Sequence, residues 1–360
     1  MKILCPTNSV QEVPALIKAG AEELYVGVVS ETWRKTYHNS AWGNRREMSL
    51  ANLYSYDELN ELVMIARASD VPVYLTLNAM YVDKQYEILD RELEQIVSSG
   101  VDAVIVADIG LMHKIRKDGV PLNLHISTGG SSFNVETIDF YKGLGAERVV
   151  IPRHVTCNDI IQIAGSATDI ELEIFALNGP CRNIDAFCSF AHGLDYNPTR
   201  SSTTVFIREK LANQLARGLE MLPKKIKNGK IARHCFEGAE GCRLNYSVTM
   251  ETCADISPQV KKRVVANIEN SYHSLHGRIA CAGCYLFEFK ELGKIKSWKI
   301  VGRDHPTDKK IQDVKFLKRV RELFSSCNRK EQYREHVKEL FKSVYGRKCY
   351  QQCYYFREDN

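Results

Sequence analysis

The feature that most constrains the fold is a regular alternation of short apolar runs and amphipathic stretches through the first half of the chain. KILCP, ELYVGVV, VPVYLTLN, VDAVIVAD, LNLHIST, ERVVIPR and IELEIFAL are near-continuous apolar runs, the pattern of parallel strands covered on both faces. Between them, VQEVPALIKAG, YSYDELNELVMIARASD, YEILDRELEQIVSSG, GLMHKIRKDG, VETIDFYKGLG and CNDIIQIAGSA have helical apolar spacing. The segment from about Ser30 to Ser49 reads as a polar, aromatic loop. Successive β/α units fit a closed barrel or an open doubly wound sheet. No GxGxxG turn follows the first strand. Polar residues instead recur at strand C-terminal ends: Asn78, Asp108, His125, Ser127, Thr128, Arg153 and Asn178. Each could equally be a cap or turn residue. Their recurrence favours a barrel mouth, so the expected fold is a TIM-barrel-like (β/α)8 core.

Beyond residue 190 the rhythm changes. A basic stretch at about 195–235 reads as a cysteine-bearing insertion. GCRLNYSVTM is strand-like, SPQVKKRVVANIENSYHSLHG helical, and KIKSWKIVGR a late barrel strand ending at Gly302–Arg303. Charged amphipathic helices close the chain and should pack on the barrel exterior. The expected organisation is a barrel domain over 1–305 and a helical extension over 306–360.

The 360 residues, 44% hydrophobic and 26% charged, suffice for one large buried core. A net charge of +5 neither demands nor excludes a nucleic-acid partner. No apolar run matches a secretory signal or a membrane span, so the cytoplasm is the expected location. Disulfides would be reduced there, which makes twelve cysteines many. Cys5 and Cys157 stand alone early. Most of the rest form close pairs: Cys181 with Cys188, Cys235 with Cys242, Cys281 with Cys284, Cys349 with Cys353. Thiolates are soft ligands for iron–sulfur clusters or zinc. The C-x2-C at Cys281 and Cys284 is zinc-like by itself. The wide separation of the pairs, and the six-residue gaps in two of them, fit a zinc knuckle poorly. Thiols dispersed over several loops can instead gather on one 4Fe-4S cluster. The plain alternative is that these cysteines are simply buried. Neither HExxH nor GxSxG occurs, so standard hydrolase signals are missing.

In ELEIFALNGPCRNIDAFC, a strand runs through a turn into two cysteines. Here the chain resembles peptidase family U32, the collagenase-like proteases, whose signature runs through a Glu, a Phe, a Gly and two cysteines. It stands here as Glu173, Phe175, Cys181 and Cys188, with Asn178 where the family usually has Gly and Gly179 beside it. VPVYLTLN, GVDAVIVADIG, LNLHIST, GAERVVIPRHVT, GCRLNY and CAGCYLFEFKELGKIKSWKIVGR also look familiar, and the match covers about residues 1–305. The resemblance implies a TIM barrel carrying a 4Fe-4S cluster. It implies ligands Cys181, Cys188, Cys242 and Cys284, with Cys235 and Cys281 as alternates. It further implies oxygen-independent hydroxylation of a tRNA or rRNA base or of a quinone precursor, with prephenate as a possible cosubstrate. The competing expectations are a collagenase-like peptidase and a non-catalytic iron–sulfur subunit working with a homologous partner. Cys349 and Cys353 are left unassigned.

At the mouth, Asp108 and His125 are the expected acid–base groups, being protic strand-end residues. Arg153 and Arg303 are expected to clamp a carboxylate, with Arg46 a weaker candidate, because guanidinium forks match carboxylates. A structural salt bridge at the rim is the equal alternative for both strand-end arginines. Asn78 is the remaining expected substrate contact.

Overall fold

The computed structural model describes residues 1–37, 43–46, 51–166, 169–181, 183–188, 256–273, 279–349 and 353–355. Eight parallel strands form a closed barrel in sequence order. They are β1 (Lys2–Pro6), β2 (Glu23–Val26), β3 (Val73–Leu77), β4 (Ala103–Val106), β5 (Leu124–Ile126), β6 (Ala146–Val150), β7 (Glu171–Leu177) and β8 (Ile295–Ile300). β8 pairs with both β7 and β1, which closes the ring. The fold is therefore the (β/α)8 barrel that the sequence led us to expect, and Asn78, Asp108, Ser127 and Asn178 directly follow or lie within two residues of the ends of β3, β4, β5 and β7.

The helices are α1 (Val13–Ala19), α2 (Glu31–Tyr37), α3 (Tyr56–Arg67), α4 (Tyr86–Ser99), α5 (Ile109–Lys117), α6 (Val135–Gly143), α7 (Cys157–Ser166), α8 (Pro258–His273), α9 (Thr307–Ser326) and α10 (Lys330–Tyr345). Side chains start several of them. The Ser55 hydroxyl accepts from the Glu58 N–H at 3.2 Å, Asp108 from Leu111 at 2.7 Å, and Asn134 from Thr137 at 2.9 Å. Gly100, at φ 69°, ends α4 in the left-handed conformation. One element departs from expectation: part of the loop after β2 is helical. The Ser30 hydroxyl accepts from the Trp33 N–H at 3.1 Å, and Trp33 is buried against Tyr37 and Tyr81. A cap followed by a single turn of apolar contact leaves too little periodicity to read.

The segment 306–360, expected as an appended extension, includes the helix that follows β8. α9 packs on α1 and β1, where a (β/α)8 barrel needs its last helix. The Lys310 ammonium, fully buried, meets Glu12 at 2.8 Å in the turn that follows β1. The stretch at about 195–235, expected as an insertion, lies outside the described residues.

The barrel interior is strongly polar. Leu4, Tyr25, Tyr74, Ala103 and Ile105 form a small cluster apart from the main core. Beside them lie two carboxylates and two cations. Glu23 accepts both guanidinium branches of Arg148, at 3.0 and 3.1 Å, together with the hydroxyls of Tyr74 at 2.8 Å and Ser297 at 2.6 Å. Glu173 takes the Lys299 ammonium at 2.7 Å and stands 3.6 Å from Arg148. Burial opposes the Arg148 charge, but Glu173 and Glu23 more than offset it and raise its pKa. Arg148 also holds the half-exposed Glu171 at 2.6 Å, but removing a buried carboxylate leaves the interior with a surplus of buried positive charge. Glu23→Ala should therefore cost about 3–5 kcal/mol in a urea titration, whereas Lys35→Ala, at the exposed Glu31 pair, should cost less than about 1 kcal/mol. A loss below about 1 kcal/mol for Glu23→Ala would mean that the interior relaxes around the vacated carboxylate.

Candidate active site at the barrel mouth

The β7 exit carries the two cysteines of the signature. β7 ends at Leu177, and Asn178 and Gly179 follow at φ 64° and 63°. Asparagine tolerates this left-handed conformation, so it can occupy a position where glycine is usual. Gly179 has no such latitude, because a Cβ there would stand 2.7 Å from Val301. The Asn178 amide donates to Asp313 at 2.7 Å and accepts from Lys309 at 3.2 Å, which ties the turn to α9.

Arg153, at the β6 exit, holds the loop that follows. Its guanidinium pairs with Asp185, its backbone N–H donates to the same carboxylate at 2.8 Å, and Nε donates to the Gly179 carbonyl at 3.1 Å. The same guanidinium lies 4.1 Å over the Phe175 ring. Arg153 is thus committed to the rim, and the salt-bridge alternative describes it. Cys181 and Cys188 flank Asp185 in this loop. Burial raises the Cys181 pKa, while Arg153 and the Asn183 N–H oppose the rise; Cys188 adds to it. Cys235 and Cys242 lie outside the described residues.

Arg303 enters the mouth from the β8 exit and is set differently. Its guanidinium occupies the space over Gly27, where a Cβ would come within 1.6 Å of Nη1. Nη1 donates to Asn52 at 2.9 Å and Thr76 at 3.1 Å, and Nη2 to Asn44 at 2.8 Å. All three acceptors are neutral. Burial lowers the Arg303 pKa to about 10, with the neighbouring Arg46 charge adding to the effect. Arg46 itself pairs with Asp304 at 3.2 Å. A buried cation whose hydrogen-bond partners are all neutral is a natural seat for an anionic group.

The expected acid–base pair is placed otherwise. Asp108 caps α5 and also accepts from the Tyr81 N–H and the Tyr86 hydroxyl, both at 3.1 Å. Its oxygens are occupied by structural bonds. His125 points into the barrel below the mouth, edge-on to Tyr74. Burial, helped by Arg148 and Lys299, holds its pKa well below the ordinary value. Its Nδ1 has no hydrogen-bond partner among the described residues. Asn78 does line the mouth, accepting from the Arg45 N–H at 3.1 Å and reaching Ser127 at 3.5 Å.

Sequence reasoning missed Asp185, Asn44, Asn52 and Tyr354. The Tyr354 hydroxyl donates to the Asn178 carbonyl and to that of Gly179 at 3.0 Å. Its ring packs against Phe175, so the C-terminal segment returns to the mouth. None of the four carries a periodic or motif signal of its own.

The family model described as peptidase family U32 matches residues 8–203 and 226–360. The chain belongs to peptidase family U32. A tRNA hydroxylation protein P of Helicobacter pylori is 25% identical over 52% of this chain and 42% of its own length. A 23S rRNA 5-hydroxycytidine C2501 synthase of Escherichia coli is 27% identical over 53% of this chain and 26% of its own. An uncharacterized protease of Methanocaldococcus jannaschii is 24% identical over all of this chain and 74% of its own length. The chain thus spans half or less of the length of the curated RNA-hydroxylation relatives it matches. The family signature acquires a physical meaning here. Its Glu, Glu173, is the carboxylate that neutralises Lys299 under the mouth, and its Phe, Phe175, is the ring beneath Arg153.

His125 yields a pH test. Folded, the imidazole stays neutral; unfolded, it takes a proton below about pH 6.5. The unfolded state then binds more protons, so stability falls as pH drops through that value. Below about pH 6.5 the wild type should lose up to about 1.4 kcal/mol per pH unit more than His125→Gln does, measured by urea titration at successive pH values. Parallel curves for the two proteins would mean that the buried imidazole accepts its proton without cost.

Proposed function

We propose that this chain hydroxylates an RNA base at the barrel mouth, with an iron–sulfur cluster on thiols of the β7 exit loop. The observation that carries the reading is the kinship with tRNA and rRNA hydroxylation proteins over about half of the chain. In the set implied by the family resemblance, Cys181, Cys188, Cys242 and Cys284 hold the 4Fe-4S cluster, with Cys235 and Cys281 as alternates. The described part offers two half-buried thiols in one loop; burial raises the Cys181 pKa, and the Arg153 guanidinium and the Asn183 N–H beside it work against that rise. Such a cluster supplies electron transfer.

The chain's own residues bind and orient. Replacing C–H by C–OH without dioxygen is a two-electron oxidation that needs an oxygen donor and an electron acceptor. A carboxylate-bearing cosubstrate such as prephenate suits Arg303, a mouth cation whose hydrogen bonds among the described residues all go to neutral acceptors. Asn78 and Ser127, across the mouth, offer neutral hydrogen bonds for the edge of a base. Arg153 and Tyr354 keep the cysteine loop in place.

A peptidase reading gains nothing from the one close thiol–imidazole pair among the described residues. The Cys327 thiol lies 3.3 Å from His336 Nδ1, but it is 1% exposed and follows α9 at the end of the barrel opposite the mouth.

The test is mass spectrometry of RNA nucleosides from cells lacking the gene, complemented with the wild type or with Cys181→Ser or Arg303→Ala. The wild type should restore a nucleoside one oxygen heavier. Cys181→Ser should restore none of it, and Arg303→Ala should restore at most about a tenth, the loss of one charged contact. An RNA profile unchanged by the deletion would overturn the reading.

A further inference from the structure

The short segment 43–46 is tied to the mouth from several sides. The Tyr81 hydroxyl donates to the Gly43 carbonyl at 2.7 Å. The Asn44 amide donates to Asn52 at 2.9 Å, and its oxygen accepts from Arg303 at 2.8 Å and from the Arg46 N–H at 3.0 Å. The Arg45 N–H donates to Asn78 at 3.1 Å. The Asn52 amide donates to the Arg46 carbonyl, and the Arg46 guanidinium pairs with Asp304 at 3.2 Å. Bonds to the β3 exit and, through Arg303 and Asp304, to the β8 exit therefore fix this backbone in place.

Its three polar side chains have different fates. Asn44 holds Arg303, and Arg46 is neutralised by Asp304. Arg45 has no such partner: among the described residues its half-buried guanidinium meets no carboxylate and makes no hydrogen bond. The side chain reaches across to the β5 exit. A Cβ at Gly129 would stand 3.6 Å from Arg45 Nη1 and 3.8 Å from the Ser127 hydroxyl, so guanidinium and hydroxyl share one corner of the mouth. Asn78 lies beside them, its amide 3.5 Å from that hydroxyl. Asp108, at the neighbouring β4 exit, commits its oxygens to Leu111, Tyr81 and Tyr86. A cation placed beside neutral hydrogen-bonding groups, with no counter-charge of its own, suits an anion that arrives from outside.

We propose that Arg45 holds the RNA backbone: its guanidinium takes a phosphate of the nucleotide whose base edge meets Asn78 and Ser127. The inference rests on the RNA reading of the mouth and adds to it the residue that grips the substrate's chain. Burial separates Arg45 from Arg303. Arg303 is 3% exposed, so only a small anion that enters the mouth can reach it. Arg45 stays open to solvent, where the phosphate of a polymer remains while its base turns inward. A guanidinium fork matches two phosphate oxygens. Arg46 and Arg153 are unsuited to the same task, because each already faces a carboxylate.

The assignment divides the two mouth cations between two ligands. Arg45 acts on RNA affinity and its dependence on salt, and Arg303 on the carboxylate cosubstrate. The Arg45 side chain carries no structural bond among the described residues, and its backbone N–H on Asn78 survives any replacement except proline. Substitution there should therefore leave the melting temperature unchanged, so that a binding defect reports the contact itself.

The experiment measures binding of the full chain to tRNA and to rRNA from cells lacking the gene, at several salt concentrations. Arg45→Gln should weaken binding of the recognised RNA about tenfold at low salt, the loss of one charged contact. It should also lower the slope of log affinity against log salt by about 0.7, the share of one phosphate on a single strand. Arg45→Lys should restore the slope, because the charge is kept, but only part of the affinity, because the fork is lost. Lys296→Gln removes the same charge from an exposed position near the start of β8, at the other end of the barrel, and should change neither. Prephenate affinity, read by calorimetry, should be equal in the wild type and Arg45→Gln. An unchanged salt slope in Arg45→Gln would overturn the inference and leave the hydroxylase reading standing. Lost prephenate affinity with RNA binding intact would do the same, since it would give Arg45 to a carboxylate. A wild type that binds neither RNA would refute both.

Discussion

The structure depends on one set of buried charges. Glu23 on β2, Arg148 on β6, Glu173 on β7 and Lys299 on β8 meet inside the barrel and cancel. Four charges in such a place are costly unless each finds its partner, so they tie together strands from different parts of the ring. Their effect reaches the mouth. The two cations help keep His125 neutral, and Lys299 lies 4.2 Å over the Tyr25 ring just below Arg303. The family's signature glutamate is part of this floor, and its phenylalanine lies above it beneath Arg153.

Above the floor, Arg153 and Arg303 divide the work that the sequence assigned to both. Arg153 is neutralised by Asp185 and positions the thiol-bearing loop. Arg303 is surrounded by Asn44, Asn52 and Thr76, which fix its direction without cancelling its charge. Two arginines at equivalent strand ends therefore have different chemistry, and the difference lies in what faces them. The thiols divide in the same manner. Cys181 and Cys188 lie in the loop after β7, whereas Cys281 is bridged to Cys353.

Much of the architecture was legible because strands covered on both faces leave continuous apolar runs, and the polar residues ending them mark one rim. Asp108 shows the limit of that reasoning: a carboxylate after a strand serves equally as a helix cap, and only its three bonds reveal which it is. His125 misled for a related reason. A strand three residues long, Leu124–Ile126, alternates inward and outward, so its histidine faces the interior below the rim. The partners of Arg303 were invisible because Asn44 and Asn52 lie in a segment without periodicity. The grouping of Cys281 with Cys353 rests on a β-bridge between distant parts of the chain, which spacing alone does not encode.

The account centres on redox-active iron held by the thiols that leave β7. Its most direct test is the visible spectrum of the anaerobically purified chain, with iron and sulfide quantified and Cys181→Ser beside it. The wild type should be brown, with about four irons and four sulfides per chain, and Cys181→Ser should be colourless. A colourless, iron-free wild type that still modifies RNA would contradict the account.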